Sequence, residues 1–215
     1  MGVRKVLTRA ASIAAAAAVC SAFMAGTGSA APAPNLIKNG NAERGAGSAD
    51  GSTVPVPKWT ITTGTGFTAV QYGAPNFLQS SDPGPANRGK NFFSGGPSDA
   101  QSVATQTVSL SAYAGLISSG AAKYNASAWL GGYATQNDNA MVEIDFKHGS
   151  SLVGSSIILG PVMASDRGNV TALVKRSAHG KVPKTATSAY VQLIMSRTDG
   201  SYNDGYADDL SLKIH

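Results

Sequence analysis

What most constrains this chain is a hydrophobic period of two. In "AMVEIDFK" (140–147), Val142, Ile144 and Phe146 fall on one side, and Met141, Glu143, Asp145 and Lys147 on the other. "SAYVQLIMS" (188–196) sets Ala189, Val191, Leu193 and Met195 against Tyr190, Gln192 and Ile194. "KYNASAWLGG" (123–132) groups Tyr124, Ala126, Ala128 and Leu130 opposite Trp129, and "DDLSLKI" (208–214) aligns Leu210, Leu212 and Ile214. Side chains alternate faces only in a strand, so each run predicts a strand with one buried face. Shorter strand candidates lie at 35–39, 58–63, 67–72, 91–95, 101–110, 155–160 and 169–176. Gly, Pro, Asn and Ser clusters such as "SDPGPANRGK" and "SGGPSDA" separate them as turns. Helical spacing is nearly absent; one small helical turn is expected at 111–120. The fold class that follows is all-β, an antiparallel β-sandwich or jelly roll.

The N-terminus belongs to another class of signal. Arg4, Lys5 and Arg9 precede an Ala-rich apolar run that ends in "TGSA". A basic region, a short apolar stretch and a small-residue cleavage site read as a secretory signal peptide over residues 1–30, cut before Ala31. The run is too short and Ala-rich for a membrane span, which needs about 20 strongly apolar residues. Residues 31–34, "APAP", form a short stiff leader, and 35–215 a single β-sandwich domain of an extracellular protein. Three of the 17 Lys and Arg lie in the signal, leaving 14 against 12 Asp and Glu. With so small a surplus and no basic run, nucleic acid is not the expected partner. Cys20, the only cysteine, also lies in the signal, so no disulfide is expected in the domain.

Catalytic signatures are sparse. The sequence has no G-x-S-x-G, H-E-x-x-H or C-x-x-C motif, and its three histidines (His148, His179, His215) stand in turns or at the terminus. Glu143 and Asp145 share a strand face about 7 Å apart, a spacing that overlaps that of an inverting hydrolase pair, but a solvated strand face is the favoured reading. Sugar binding needs less machinery: an aromatic ring for the apolar C–H face, with amides and carboxylates for the hydroxyls. "SAWLGGYATQNDN" (127–139) has that make-up, with Trp129, Tyr133, Gln136, Asn137 and Asp138 as the candidate ligand contacts. Trp129 stands opposite the apolar set of its strand, facing either a groove or a second covered layer. Trp59 is expected to anchor the core.

The two ends of the domain carry a resemblance. "NLIKNGNAERG" (35–45) and "YADDLSL" (206–212) resemble the opening and closing motifs of galactose-binding-like jelly-roll domains, which include several carbohydrate-binding modules. "YNASAWLGG" resembles a strand from the middle of that family; Ala42 stands where its opening usually has an aromatic. The resemblance implies adjacent termini tied by a structural calcium ion, with Glu43, Asp208 and Asp209 as its carboxylates. Calcium takes six to eight oxygen ligands, so backbone carbonyls of "NGNAE" would complete the set. Parity within "DDLSL" points Asp208 inward with Leu210, and Asp209 outward. The resulting expectation is a secreted, calcium-stabilised, non-catalytic domain that binds carbohydrate or a cell-surface glycan. A structural or protein-interaction domain and a small polysaccharide hydrolase are the alternatives.

Overall fold

The alternating runs pair into strands much as their periodicity requires. The computed structural model describes residues 1–3 and 32–215; the expected signal peptide lies, from residue 4, outside the described residues. Within Ala33–His215, the first strands are β1 (Thr60–Thr63), β2 (Thr68–Gln71), β3 (Asn91–Pro97) and β4 (Gln101–Ser109). A short 3₁₀ turn and helix α1 (Ala114–Ser119) lead to β5 (Lys123–Gly132), β6 (Asn139–His148), β7 (Ser151–Leu152) and β8 (Ile157–Leu159). The chain closes with β9 (Ala172–Lys181), β10 (Ser188–Ser196) and β11 (Tyr202–Ile214). Helix α1 ends where Gly120 takes a left-handed φ of 78°, its N–H reaching the carbonyls of Ile117 and Leu116. No helix among the described residues is long and apolar enough to cross a membrane.

Two antiparallel sheets result. One runs β1-β4-β10-β6-β7, with β8 also on β6; the other runs β2-β3-β11-β5-β9. The expected apolar faces meet between them: Val142, Ile144 and Phe146 from one sheet, and Ala126, Ala128, Leu130, Leu210 and Leu212 from the other, are all buried. Trp59 joins this core, its ring edge-on to Phe93 at 5.7 Å and its Nε1 donating to the Asn39 carbonyl. This is a jelly-roll β-sandwich, the architecture expected from the alternation.

Two local expectations are corrected. Residues 35–39 do not form a strand: the chain bends at Ile37 and turns from Lys38, where Asn39 adopts a positive φ of 53°, which breaks extended pairing. Asp208 does not point into the inter-sheet core. Opposite β5, Asp208 pairs with Trp129 and Ser211 with Ser127, so Asp209 and Leu210 together face the single Ala128. This is a β-bulge, with Asp209 at φ 48°, and the extra residue inverts the parity. Asp208 therefore shares the outer face with Trp129.

Candidate functional site

The outer face of the β2-β3-β11-β5-β9 sheet is divided in two by the segment between β2 and β3. Residues 72–90 leave the β2 edge and reach β9, where Leu173 N donates to the Pro83 carbonyl at 2.9 Å. The segment holds its own shape. The Arg88 guanidinium donates to the carbonyls of Pro85 (3.0 Å), Gln79 (3.1 Å) and Asp82 (2.9 Å), and lies 5.2 Å from the centre of the Tyr72 ring. Its apolar residues Ala74 and Leu78 pack on Val70, Phe92, Leu173 and Tyr206, forming a second apolar cluster outside the main core. Phe92 and Tyr206 meet edge-on at 5.0 Å. This strap covers the part of the face where the sheet carries its aromatics.

The remainder of the face, on β11, β5 and β9, stays open as a groove of about 550 Å³. Cross-strand register builds its floor. Ser127 of β5 pairs with Ser211 of β11 on the floor, with Ser177 of β9 beyond it in an adjoining hollow, and Trp129 lies directly across from Lys175. Asn125 links Lys213 to His179 one row further on. The turns of residues 35–44 form one wall, and Asn87 of the strap contributes to the rim. Trp129 is part-buried: it packs against the second cluster and also borders the groove. The groove is thus one aromatic ring, a level patch of hydroxyls and a surround of amides and ammonium groups. Its chemistry is that of reversible binding to a hydroxyl-rich ligand.

The other expected ligand contacts lie elsewhere. Tyr133 packs against the second apolar cluster without lining the groove. Asp138 is fully buried as a loop brace. Its Oδ1 accepts from the Thr198 N–H (2.6 Å), the Thr198 hydroxyl (3.2 Å) and the Asp199 N–H (2.9 Å), and its Oδ2 from the Asp204 N–H (2.9 Å). Asn137 Oδ1 accepts from Ala164 N at 3.3 Å. The main-chain oxygens of Gln136, Tyr133, Ala134 and Val170 all receive the buried Arg167 guanidinium. Arg167 thus satisfies four carbonyls of this loop and its neighbour. The amide-rich run 136–139 is polar because it organises a loop. On the opposite sheet, Asp145 is held by the Ser156 hydroxyl (2.6 Å) and Lys147 (4.0 Å), as a structural face would be.

The three expected metal carboxylates have separate environments. Glu43 Oε1 accepts from the backbone N–H groups of Lys90 and Asn91, both at 2.8 Å, and so fastens the end of the strap. Asp208 is fully buried; its Oδ2 accepts from the Tyr72 hydroxyl at 2.7 Å, and its Oδ1 from the Asp209 N–H at 2.7 Å. Burial pushes the Asp208 carboxyl up to about 8; the Tyr72 bond opposes this, and the charges of Asp209 and Glu43 add to it. Asp209 lines the groove, its carboxyl raised by burial and by Glu43 and lowered by Lys175. Among the described residues no three His, Cys, Asp or Glu side chains are grouped as metal ligands.

Sequence alone missed Ser127, Lys175, Ser211 and Lys213 as site residues. Each lies on the polar side of an alternating strand, but only the strand order brings those sides together.

No family model matches the sequence, and the comparison with curated proteins finds no match. Solved structures of the same fold do exist. The enzymatically active domain of tailspike protein 4 from bacteriophage CBA120 aligns at TM-score 0.50 and 18% identity over 84% of this chain; the chain spans only 21% of that one. The C-terminal family 22 carbohydrate-binding module of a Clostridium thermocellum xylanase aligns at TM-score 0.44 and 14% identity, covering 77% of this chain and 91% of the module. The N-terminal family 22 module and catalytic module of the same enzyme, complexed with xylohexaose, align at TM-score 0.44 and 16% identity, over 73% of this chain and 26% of that one. The chain has the jelly-roll β-sandwich fold that its terminal motifs imply.

Proposed function

We propose that this chain is a secreted, non-catalytic domain that binds polysaccharide in the groove on the outer face of β11, β5 and β9. The observation that carries the reading is Trp129: a part-buried ring bordering an open groove whose floor carries the paired hydroxyls of Ser127 and Ser211. A sugar presents an apolar C–H face to such a ring and hydroxyls to such a floor. The resemblance of the terminal motifs points to the same function. Affinity electrophoresis through a panel of soluble polysaccharides, with pull-down on insoluble ones, tests it. Retardation by at least one polymer, abolished in Trp129→Ala, is the expected result. A protein that no glycan retards would instead fit a structural or protein-binding role, and reducing-sugar release would mark a hydrolase.

Export and calcium belong to the same proposal. N-terminal sequencing of the exported protein is expected to begin at Ala31; retention of Met1 would reject secretion through a cleaved signal. Calcium is proposed near the joined ends because Asp208 feels the charges of Asp209 and Glu43, and Asp209 that of Glu43, with Lys175 opposing it. It would stabilise the domain and take no part in binding chemistry.

A further inference from the structure

The charges around the groove are lopsided. Lys38, Arg44, Lys175 and Lys213 line it, and Asp209 is the one carboxylate among the lining residues. The rest of the chain does not share this bias: of the 14 Lys and Arg and 12 acids in residues 32–215, 10 cations and 11 acids lie outside the groove lining. The groove cations are also unspent. Among the described residues the ion pairs are Lys147–Asp145 and Arg176–Asp166, and neither involves the groove. Lys38 and Arg44 form hydrogen bonds through backbone atoms only. Elsewhere this fold uses cations to satisfy itself: Arg88 and Arg167 each hold three or more carbonyls. Four cations around one cavity, of which only Lys175 is offset by a nearby carboxylate, Asp209, repel one another and lower the free energy of any anion placed there.

Position narrows the ligand further. Lys175 stands directly across from Trp129, and Lys213 lies two rows along, beside the Ser127–Ser211 pair. Charge and ring therefore share one floor. A neutral glycan uses the ring and leaves the ammonium groups unpaired. A polyanion without sugar rings uses the charges and leaves Trp129 idle. Single-stranded nucleic acid is bound on successive stacked aromatics, whereas this groove offers one.

We infer that the groove takes an anionic polysaccharide carrying carboxylates on its sugar rings, a polyuronate, with Trp129 against a ring face and Lys175 and Lys213 on carboxylates. This rests on reading the groove as a carbohydrate site. The test uses the purified chain with polygalacturonate, alginate, fully methyl-esterified polygalacturonate and neutral xylan, at low and high salt. Polyglutamate and single-stranded DNA serve as polyanions of other classes. At least one polyuronate binds about tenfold or more tighter than the esterified and neutral polymers, and the preference shrinks at high salt, as exposed charges are screened. Lys175→Gln and Lys213→Gln each weaken polyuronate binding severalfold without altering the melting temperature; Trp129→Ala weakens binding of every glycan. Equal affinity for charged and neutral glycans overturns the inference and leaves the carbohydrate reading standing. Polyglutamate or DNA binding as tightly as the polyuronate overturns it in favour of plain ion exchange. Binding to no glycan at all removes the carbohydrate reading and the inference with it.

Discussion

At the scale of single residues, position in the fold decides what each polar group is for. Trp129 and Asp138 came from one stretch of sequence with one expected use, yet they have opposite fates. Asp138 has both oxygens filled by backbone and hydroxyl donors, whereas Trp129 stays part-exposed at the border of the groove. Trp129→Ala is expected to abolish polysaccharide retardation while costing less than the ~3–5 kcal/mol that truncating a fully buried ring costs. Thermal melts beside affinity electrophoresis check both halves; a full core-sized loss would assign the ring to packing alone. Asp204 has a signature in pH. Burial raises its carboxyl to about 6, with Asp138's charge adding, while the Tyr206 hydroxyl bond at 2.6 Å and Arg167 oppose the shift. Between the ordinary value of 3.8 and about 6 the folded state holds the proton that the unfolded chain has lost, so stability falls as pH rises through that window and is level above it. The slope stays below about 1.4 kcal/mol per pH unit, since Asp204 is only part-buried. Asp208 contributes the same sign up to about 8. Melting curves recorded in chelator from pH 4 to pH 8 are expected to show the decline, and Asp204→Asn to make it shallower below about pH 6, where Asp208 alone then contributes. An unchanged slope in that variant would place the titration elsewhere.

At the scale of elements, the strands were readable and their neighbours were not. Alternation in β5, β6 and β10 identified the buried side of each, because period two is a local property of the backbone. It failed at Asp208, where one left-handed residue shifts every face upstream of it, and no residue type announces a bulge at a non-glycine. It also said nothing of the strap, which is rich in Gly and Pro and reads as a turn. Yet that segment carries Leu78, fully buried against Phe92 and Tyr206 on the outer face. The groove exists because the strap stops short of covering the sheet. Leu78→Ala is expected to cost about 2–5 kcal/mol, the range for a buried leucine. Its effect should include faster amide exchange in residues 72–90, since the strap loses its central contact. A loss below about 1 kcal/mol, with unchanged exchange, would show that Arg88 and its three carbonyls hold the strap alone.

At the scale of the whole molecule, what matters is how the beginning and end of the domain are held together. The segment 35–40 is laid along β11 by four hydrogen bonds. Leu36 N donates to the Leu212 carbonyl and Leu210 N to the Gly40 carbonyl, both at 2.8 Å; Asn35 Nδ2 donates to the Leu210 carbonyl (2.8 Å), and Leu212 N donates to Asn35 Oδ1 (3.0 Å). Asn35 thus acts as a substitute strand residue, offering β11 one donor and one acceptor from a side chain. The same turns form a wall of the groove, so the closure that stabilises the fold also shapes the site. Two devices can hold such a junction: these hydrogen bonds and the proposed calcium. They predict different measurements. Asn35→Ala removes both side-chain bonds and is expected to cost about 1–3 kcal/mol whether or not calcium is present. A calcium ion held by the folded state adds about 2.7 kcal/mol at a hundredfold excess over its dissociation constant. Melting temperature should then rise with calcium and fall with chelator in the wild type, and Asp208→Ala should remove the response. Identical melts with calcium and chelator, on protein shown to be free of metal, would leave the hydrogen-bonded junction as the sole fastening. In that case Glu43 and Asp208 serve the strap, through the Lys90 and Asn91 N–H groups and the Tyr72 hydroxyl that they already accept.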